Sequence, residues 1–395
     1  MRFKPSYAPG PTDVRENVRL ALAKKTNNTD FDKEFIRYYH EVCQKMGRVM
    51  GTTNEVLLLA GEGILALEAA CASLTEPGDR VLVLDNGIYG EGFQDFVRMY
   101  GGEPVVLRFD YHKDIPVEEV RNYLEKDHNF KYATFVHCDT PTSILNDVSQ
   151  LSPLLKEYGI LTVVDSVAGM VGEPIDVDQN QIDICCGGTQ KAISAPVGLA
   201  IVSISEDAKK AMNDRKTPIA SYYANLQIFK GYMEKGTLPY TMPAGTIEAL
   251  DVALDNILKE GQLEIYVRHA KIANAVRTSI QEYGLTLFLE SGCSNTVTAV
   301  IIPAEIGALQ LQQHIEETYN LFIATSLAQY EDVILRIGHM GENAFVEKVL
   351  SVLTVIDHSL RDLGFKGKGN LGQLFLDAYR SENEHSKTST PLLVR

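Results

Sequence analysis

From Val56 to Ile204 the chain alternates short, continuously apolar runs with helical patterns, and this alternation constrains the fold more than any other feature. VLVLDNG (Val81–Gly87), YATFVHCDT (Tyr132–Thr140), LTVVDSV (Leu161–Val167), DICCGG (Asp183–Gly188) and GLAIVSIS (Gly198–Ser205) each read as a strand covered on both faces. Between them, VEEVRNYLEKDH (Val117–His128) and QLSPLLKEYG (Gln150–Gly159) read as helices. Such alternation implies a largely parallel α/β sheet, and ligands gather at the carboxyl ends of its strands. Asp139, Asp165 and Lys191 all fall near those ends.

Beyond about Glu260 the pattern changes to a helix (Leu263–Tyr283), two apolar runs, a second helix, VILRIG and a long helix from Asn343 to about Leu363. That is an α+β module. The expected division is an arm at 1–20 belonging to the smaller domain, a large domain at 21–260, a small domain at 261–365 and a polar tail at 366–395. The tail has no evident core.

Composition removes several function classes. A net charge of −15 with no clustered Lys/Arg run argues against nucleic acid, whose affinity comes mostly from phosphate neutralisation. No apolar run reaches the roughly 18 residues of a spanning helix, so no membrane partner is expected. MRFKPSYAPGPTDV lacks the apolar stretch of a signal peptide, and a cytoplasmic location is expected. The six Cys form no CxxC pair and the nine His no HExxH, which fits reduced buried thiols and no metal site.

Two segments carry the chemistry, VVDSVAGM and GGTQKAISAPVG. A lysine among small residues after an apolar strand is readily desolvated, which lowers its pKa toward that of a nucleophilic amine. Taken singly, Asp165 also suits a helix cap and Lys191 a surface amine. Their joint placement with Tyr89 in NGIYGEGF and Arg336 in LRIGHMG favours a site.

That set resembles the fold type I, class V aminotransferases, the family of the alanine–glyoxylate and serine–pyruvate transaminases, from YAPGPT (Tyr7–Thr12) through RIGHMG (Arg336–Gly341). The resemblance implies a large domain with a mainly parallel, seven-stranded type of sheet, a smaller α+β C-terminal domain, and vitamin B6 chemistry. It implies that Asp165 pairs with the pyridine nitrogen, keeping it protonated so that the ring absorbs electrons released at Cα. Lys191 would form the Schiff base and shuttle the proton. Tyr89 would stack on the ring and Thr140 would lie near its phenolic oxygen. Arg336 would grip the substrate carboxylate through a bidentate guanidinium. Tyr240 and Thr241 in LPYTMPAG match a segment that crosses a homodimer interface to the partner's cofactor. A homodimer or higher homo-oligomer with interfacial sites is therefore expected.

One loop departs from the ordinary family pattern. LLLAGEGILALEAACASL (Leu57–Leu74) places Glu62 and Gly63 where ordinary members have a serine that holds the 5′-phosphate. A phosphate carries roughly −1.5 to −2 charges at neutral pH. A carboxylate about 4 Å away would repel each charge by about 4 kcal/mol at an effective dielectric near 20. Glu62 also suits the first turn of the helix, where it would complement the dipole by about 0.3–1 kcal/mol. The sharper reading is a site for unphosphorylated B6, whose 5′-hydroxyl can donate to the carboxylate. The local text is similar to the pyridoxamine–pyruvate branch of the family at Gly61–Glu62, Tyr89–Phe93, His137–Pro141 and Arg336–Gly341.

Two features pull the other way. No second arginine occurs from Ile323 to Leu335, and Gln190 resembles the phosphate-side glutamine of ordinary members. The leading expectation is amino transfer between pyridoxamine and pyruvate, giving pyridoxal and L-alanine with no permanently bound cofactor. The alternatives are a conventional enzyme with pyridoxal 5′-phosphate on Lys191, acting on alanine or serine with glyoxylate or pyruvate, and a non-catalytic B6-binding protein. A cysteine desulfurase is disfavoured, because Gln190 stands where a histidine is expected and Cys293 has no evident activation.

Overall fold

The computed structural model describes residues 3–385. Seven strands form one sheet in the order Glu55–Ala60, Leu199–Ile204, Ile184–Gly188, Leu161–Asp165, Tyr132–Val136, Arg80–Asp85 and Glu103–Arg108. Leu199–Ile204 runs antiparallel to both neighbours, and every other pairing is parallel. The sheet is thus mainly parallel, as its unbroken Val/Ile/Leu runs require of strands buried on both faces. A helix crosses over after most strands. Gly63–Leu74 is apolar nearly all round, and nine of its twelve residues are buried. It fills the layer against strands Ile184–Gly188 and Leu199–Ile204.

A second sheet is antiparallel throughout, ordered Thr286–Leu287, Val297–Ile301, Ile334–Gly338 and Ala324–Thr325. Helices Gln262–Tyr283, Ala308–Tyr319 and Val346–Asp362 cover it and share a separate apolar core. Among the described residues, no helix is long and apolar enough to cross a membrane, and no cluster of His, Cys, Asp and Glu could hold a metal ion.

The second half of the arm and the tail differ from the sequence reading. Residues 5–8 lie on the second sheet: Tyr7 N donates to Phe322 O and Gly338 N to Tyr7 O, both at 2.8 Å. The helix Glu16–Ala21 instead buries Val18 and Ala21 in the first core. The described part of the supposed polar tail contains the helix Leu371–His385, whose Leu371 and Phe375 are fully buried in the second core. One turn separates those two residues, so a single narrow apolar face docks between polar neighbours. Residues 386–395 lie outside the described residues. Phe375→Ala should cost about 3–5 kcal/mol through transfer and cavity terms, read as a lower urea midpoint. An unchanged midpoint would show that this helix adds nothing to the core.

Candidate active site

Five parallel strands each deliver a polar residue where they stop. Glu62 follows Glu55–Ala60, Tyr89 follows Arg80–Asp85, Thr140 follows Tyr132–Val136, Asp165 ends Leu161–Asp165, and Lys191 lies in the turn after Ile184–Gly188. They line a cavity of about 250 Å³, together with Gly63, Gln190 and the arm residues Gly10 and Pro11.

The Lys191 amine is enclosed there. Burial, seconded by the Arg336 guanidinium, lowers its pKa to about 8. The arm fixes it from one side: Nζ donates to Pro9 O, and the Thr12 hydroxyl donates to Lys191 O at 2.8 Å. Gly10 has a φ of +99°, and a Cβ there would stand 2.5 Å from Lys191 Cδ. Conformation and space both demand glycine at that point.

Asp165 accepts a hydrogen bond from Val167 N at 2.9 Å. Burial pushes its pKa up to about 7, with the Asp139 carboxylate adding to the rise and the Lys191 ammonium opposing it. A buried acid and a desolvated amine thus face one cavity, each held near neutrality. That pairing suits proton transfer at the cavity centre.

Glu62 is the N-cap of helix Gly63–Leu74, with one carboxylate oxygen accepting from Ile64 N at 3.0 Å. Its other oxygen accepts from Gln190 Nε2, also at 3.0 Å. Glu62 thus stands at the N-cap, one position before the first turn considered from sequence, and its side chain lines the cavity. Gln190 Oε1 is buried and has no hydrogen-bond partner among the described residues. The mouth of this helix presents acceptors where an anion would need donors.

Arg336, on the strand Ile334–Gly338, is 8% exposed and its Nε donates to Thr325 O at 2.7 Å. It does not line the cavity wall, but its charge acts on both Tyr89 and Lys191. Its two terminal nitrogens carry four further N–H donors with which a guanidinium can meet a carboxylate.

Residues 11–339 match the family model described as aminotransferase class-V. The chain belongs to the class V aminotransferases. It is 33% identical to an uncharacterised aminotransferase of Methanocaldococcus jannaschii over 361 residues, covering 91% of this chain and 93% of that protein. It is 30% identical to the pyridoxamine–pyruvate transaminase of Mesorhizobium japonicum over 368 residues, with 91% and 93% covered. The ureidoglycine–glyoxylate aminotransferase of Bacillus subtilis has the same fold, with a TM-score of 0.92 at 26% identity and coverage of 96% and 99%.

Class V aminotransferases depend on pyridoxal phosphate, and the ring portion of that group fits the chemistry of this cavity. A carboxylate, an amine and an aromatic side chain line it together. The phosphate portion fits poorly, since Glu62 caps the helix that would otherwise offer its amides. Tyr240 and Thr241 are not brought to the aminotransferase cavity of their own chain. Tyr240 stacks on Tyr223 at 4.5 Å and 26°, and Thr241 donates to Asp30 Oδ2 at 3.0 Å. Two contributors went unrecognised in the sequence. The clamp of Thr12 on Lys191 had no signal beyond the YAPGPT text. Asp139 was seen near a strand end but given no role; it is fully buried and accepts from Tyr89 N at 2.9 Å.

Proposed function

We propose that this class V aminotransferase, a relative of the alanine– and serine–glyoxylate enzymes, moves an amino group between pyridoxamine and pyruvate, giving pyridoxal and L-alanine. The vitamin is then an unphosphorylated substrate that comes and goes. One observation carries this reading: the Glu62 carboxylate, held by Ile64 N and Gln190 Nε2 at 3.0 Å each, occupies the helix mouth at the cavity wall. A hydroxyl can donate to it, whereas a phosphate of roughly −1.5 to −2 charges is repelled.

When bound, the vitamin's ring supplies an electron sink for the carbanion formed at the substrate's α-carbon. Asp165 would hold the proton on the ring nitrogen. Lys191, as a free amine, would take the proton from one carbon of the reacting pair and return it to the other. Tyr89 would stack on the ring, and Thr140 would lie near its phenolic oxygen. Arg336 holds the keto acid's carboxylate, so the reacting carbon approaches in a single orientation. In a homodimer Tyr240 and Thr241 would reach the neighbouring subunit's cavity.

The second reading, a conventional enzyme retaining pyridoxal phosphate on Lys191, is favoured by Gln190, whose amide could turn to a phosphate. Rates separate the two. Pyridoxamine with pyruvate should give pyridoxal and L-alanine at a steady rate without added pyridoxal phosphate, and glyoxylate in place of pyruvate tests the acceptor. Turnover of alanine with glyoxylate that requires pyridoxal phosphate, with none from pyridoxamine, would establish the second reading.

A further inference from the structure

Asp139 carries an inference beyond the residues assigned above. It ends the two-residue strand Cys138–Asp139, paired with Ile144–Leu145, and its side chain is shut off from solvent. A carboxylate there is costly unless donors meet it. Four do: Tyr89 N at 2.9 Å, Thr142 Oγ at 2.8 Å, Thr142 N at 3.3 Å, and Ile88 N. Two of these are the first amides of helix Ile88–Met99. That helix has Gly87 as N-cap and no cap from its own segment. Asp139 supplies the cap from the segment after the neighbouring strand Tyr132–Val136, placing negative charge at the helix's positive end.

Gly87 makes this approach possible. Its φ of −174° is open to any residue, so conformation does not require glycine. Space does: a Cβ on Gly87 would lie 2.5 Å from Asp139 Cγ. The helix and the carboxylate are fitted to each other, and Tyr89 sits at their junction. The residue after Asp139 is Thr140, which lines the same cavity.

We propose that Asp139 is a positioning residue: by capping helix Ile88–Met99 from another strand it presets the Tyr89 ring over the cavity, so that a planar heteroaromatic ring binds without first ordering its stacking partner. The inference rests on the assignment of Tyr89 to the ring face, but holds for either the phosphorylated or the free vitamin. An aromatic pair is favourable only in offset or edge geometry, and a tyrosine free to swing forfeits that preference. Asp139 is fully buried and does not line the cavity.

The test uses the full chain with Asp139→Asn, Gly87→Ala and Tyr89→Ala, each titrated calorimetrically with pyridoxal and with pyridoxal phosphate. Asp139→Asn keeps the shape and loses the charge, while Gly87→Ala displaces the carboxylate without altering it. Both should weaken whichever form the wild type binds by roughly 3- to 10-fold, the scale of one stacking contact. Both should also reduce the circular dichroism induced in the vitamin's absorption band. Combined with Tyr89→Ala, Asp139→Asn should add little, because both changes remove the same contact. A lower melting temperature with wild-type affinity and induced dichroism, or full additivity with Tyr89→Ala, would overturn the proposal. If Tyr89→Ala alone leaves binding unchanged, the ring-face assignment itself fails, which is a separate result. Should Asp139→Asn not fold, Gly87→Ala decides the matter.

Discussion

Glu62→Ser is expected to invert the order in which the protein binds pyridoxal and pyridoxal phosphate. In the wild type, one Glu62 oxygen accepts from Ile64 N and the other from Gln190 Nε2. Serine keeps the helix cap, because a hydroxyl serves at an N-cap about as well as a carboxylate, and stability should change by less than about 0.5 kcal/mol. What it removes is the negative charge and the acceptor for the vitamin's hydroxyl. A hydrogen bond to a charged group is worth about 1.5–3 kcal/mol, so pyridoxal should weaken by roughly 10- to 100-fold. Pyridoxal phosphate should gain more. Repulsion of about 4 kcal/mol per charge at 4 Å is an upper figure, and solvent at the half-open cavity reduces it. A gain of roughly 10²- to 10³-fold is expected. Gln190 contributes to this gain, since its amide, released from Glu62, becomes a donor to the phosphate. Calorimetric titration of both proteins with both ligands reads the effect directly. A wild type that already prefers pyridoxal phosphate would sink the idea, whatever the variant does.

Much of this site could be read before any coordinates, and the reason is topological. When parallel strands end along one edge, the polar residue that follows each apolar run arrives at the same crevice. Asp139, Asp165 and Lys191 were legible on that ground, whereas Glu62, Tyr89 and Thr140 were legible through the family resemblance. That resemblance added the separate roles of all but Asp139. What was not legible depends on contacts between segments distant in sequence. Nothing in HCDTP shows that Asp139 caps a helix starting at Ile88, and nothing in TQKA shows that Gln190 bonds Glu62. The approach of Gly10 to the Lys191 side chain is equally silent. The helix Leu371–His385 was missed because only a narrow apolar face, Leu371 and Phe375 foremost, breaks a polar sequence. A pattern that sparse looks like a tail until its docking surface is known.

Lys191→Ala should abolish amino transfer and at the same time stabilise the fold, and the second effect is what separates this lysine from an ordinary structural one. Without its amine the cavity loses the base assigned to move the proton between the two reacting carbons, and a loss of roughly 10⁴-fold or more in kcat is expected. Borohydride fixation of pyridoxal to the peptide holding Lys191 should vanish as well. The stability effect follows from linkage. Burial holds the folded-state pKa at about 8, below the ordinary value of 10.5. Below about pH 8 the amine is protonated in both states, and the folded protein bears the full cost of a buried ammonium. Between about pH 8 and 10.5 the unfolded chain binds more protons, so this group's contribution to stability rises with pH across that window. Alanine removes the cost and the slope together. At pH 7 the variant should therefore gain about 1–3 kcal/mol, lessened by the lost packing against Gly10. The difference between wild type and variant should shrink as pH rises through 8 to 10, measured by urea unfolding at each pH. The activity of the wild type should rise through the same lower limit, as the amine loses its proton near pH 8. A variant that is inactive yet less stable than the wild type at every pH would mean that Lys191 is a packed structural residue, with its charge already satisfied.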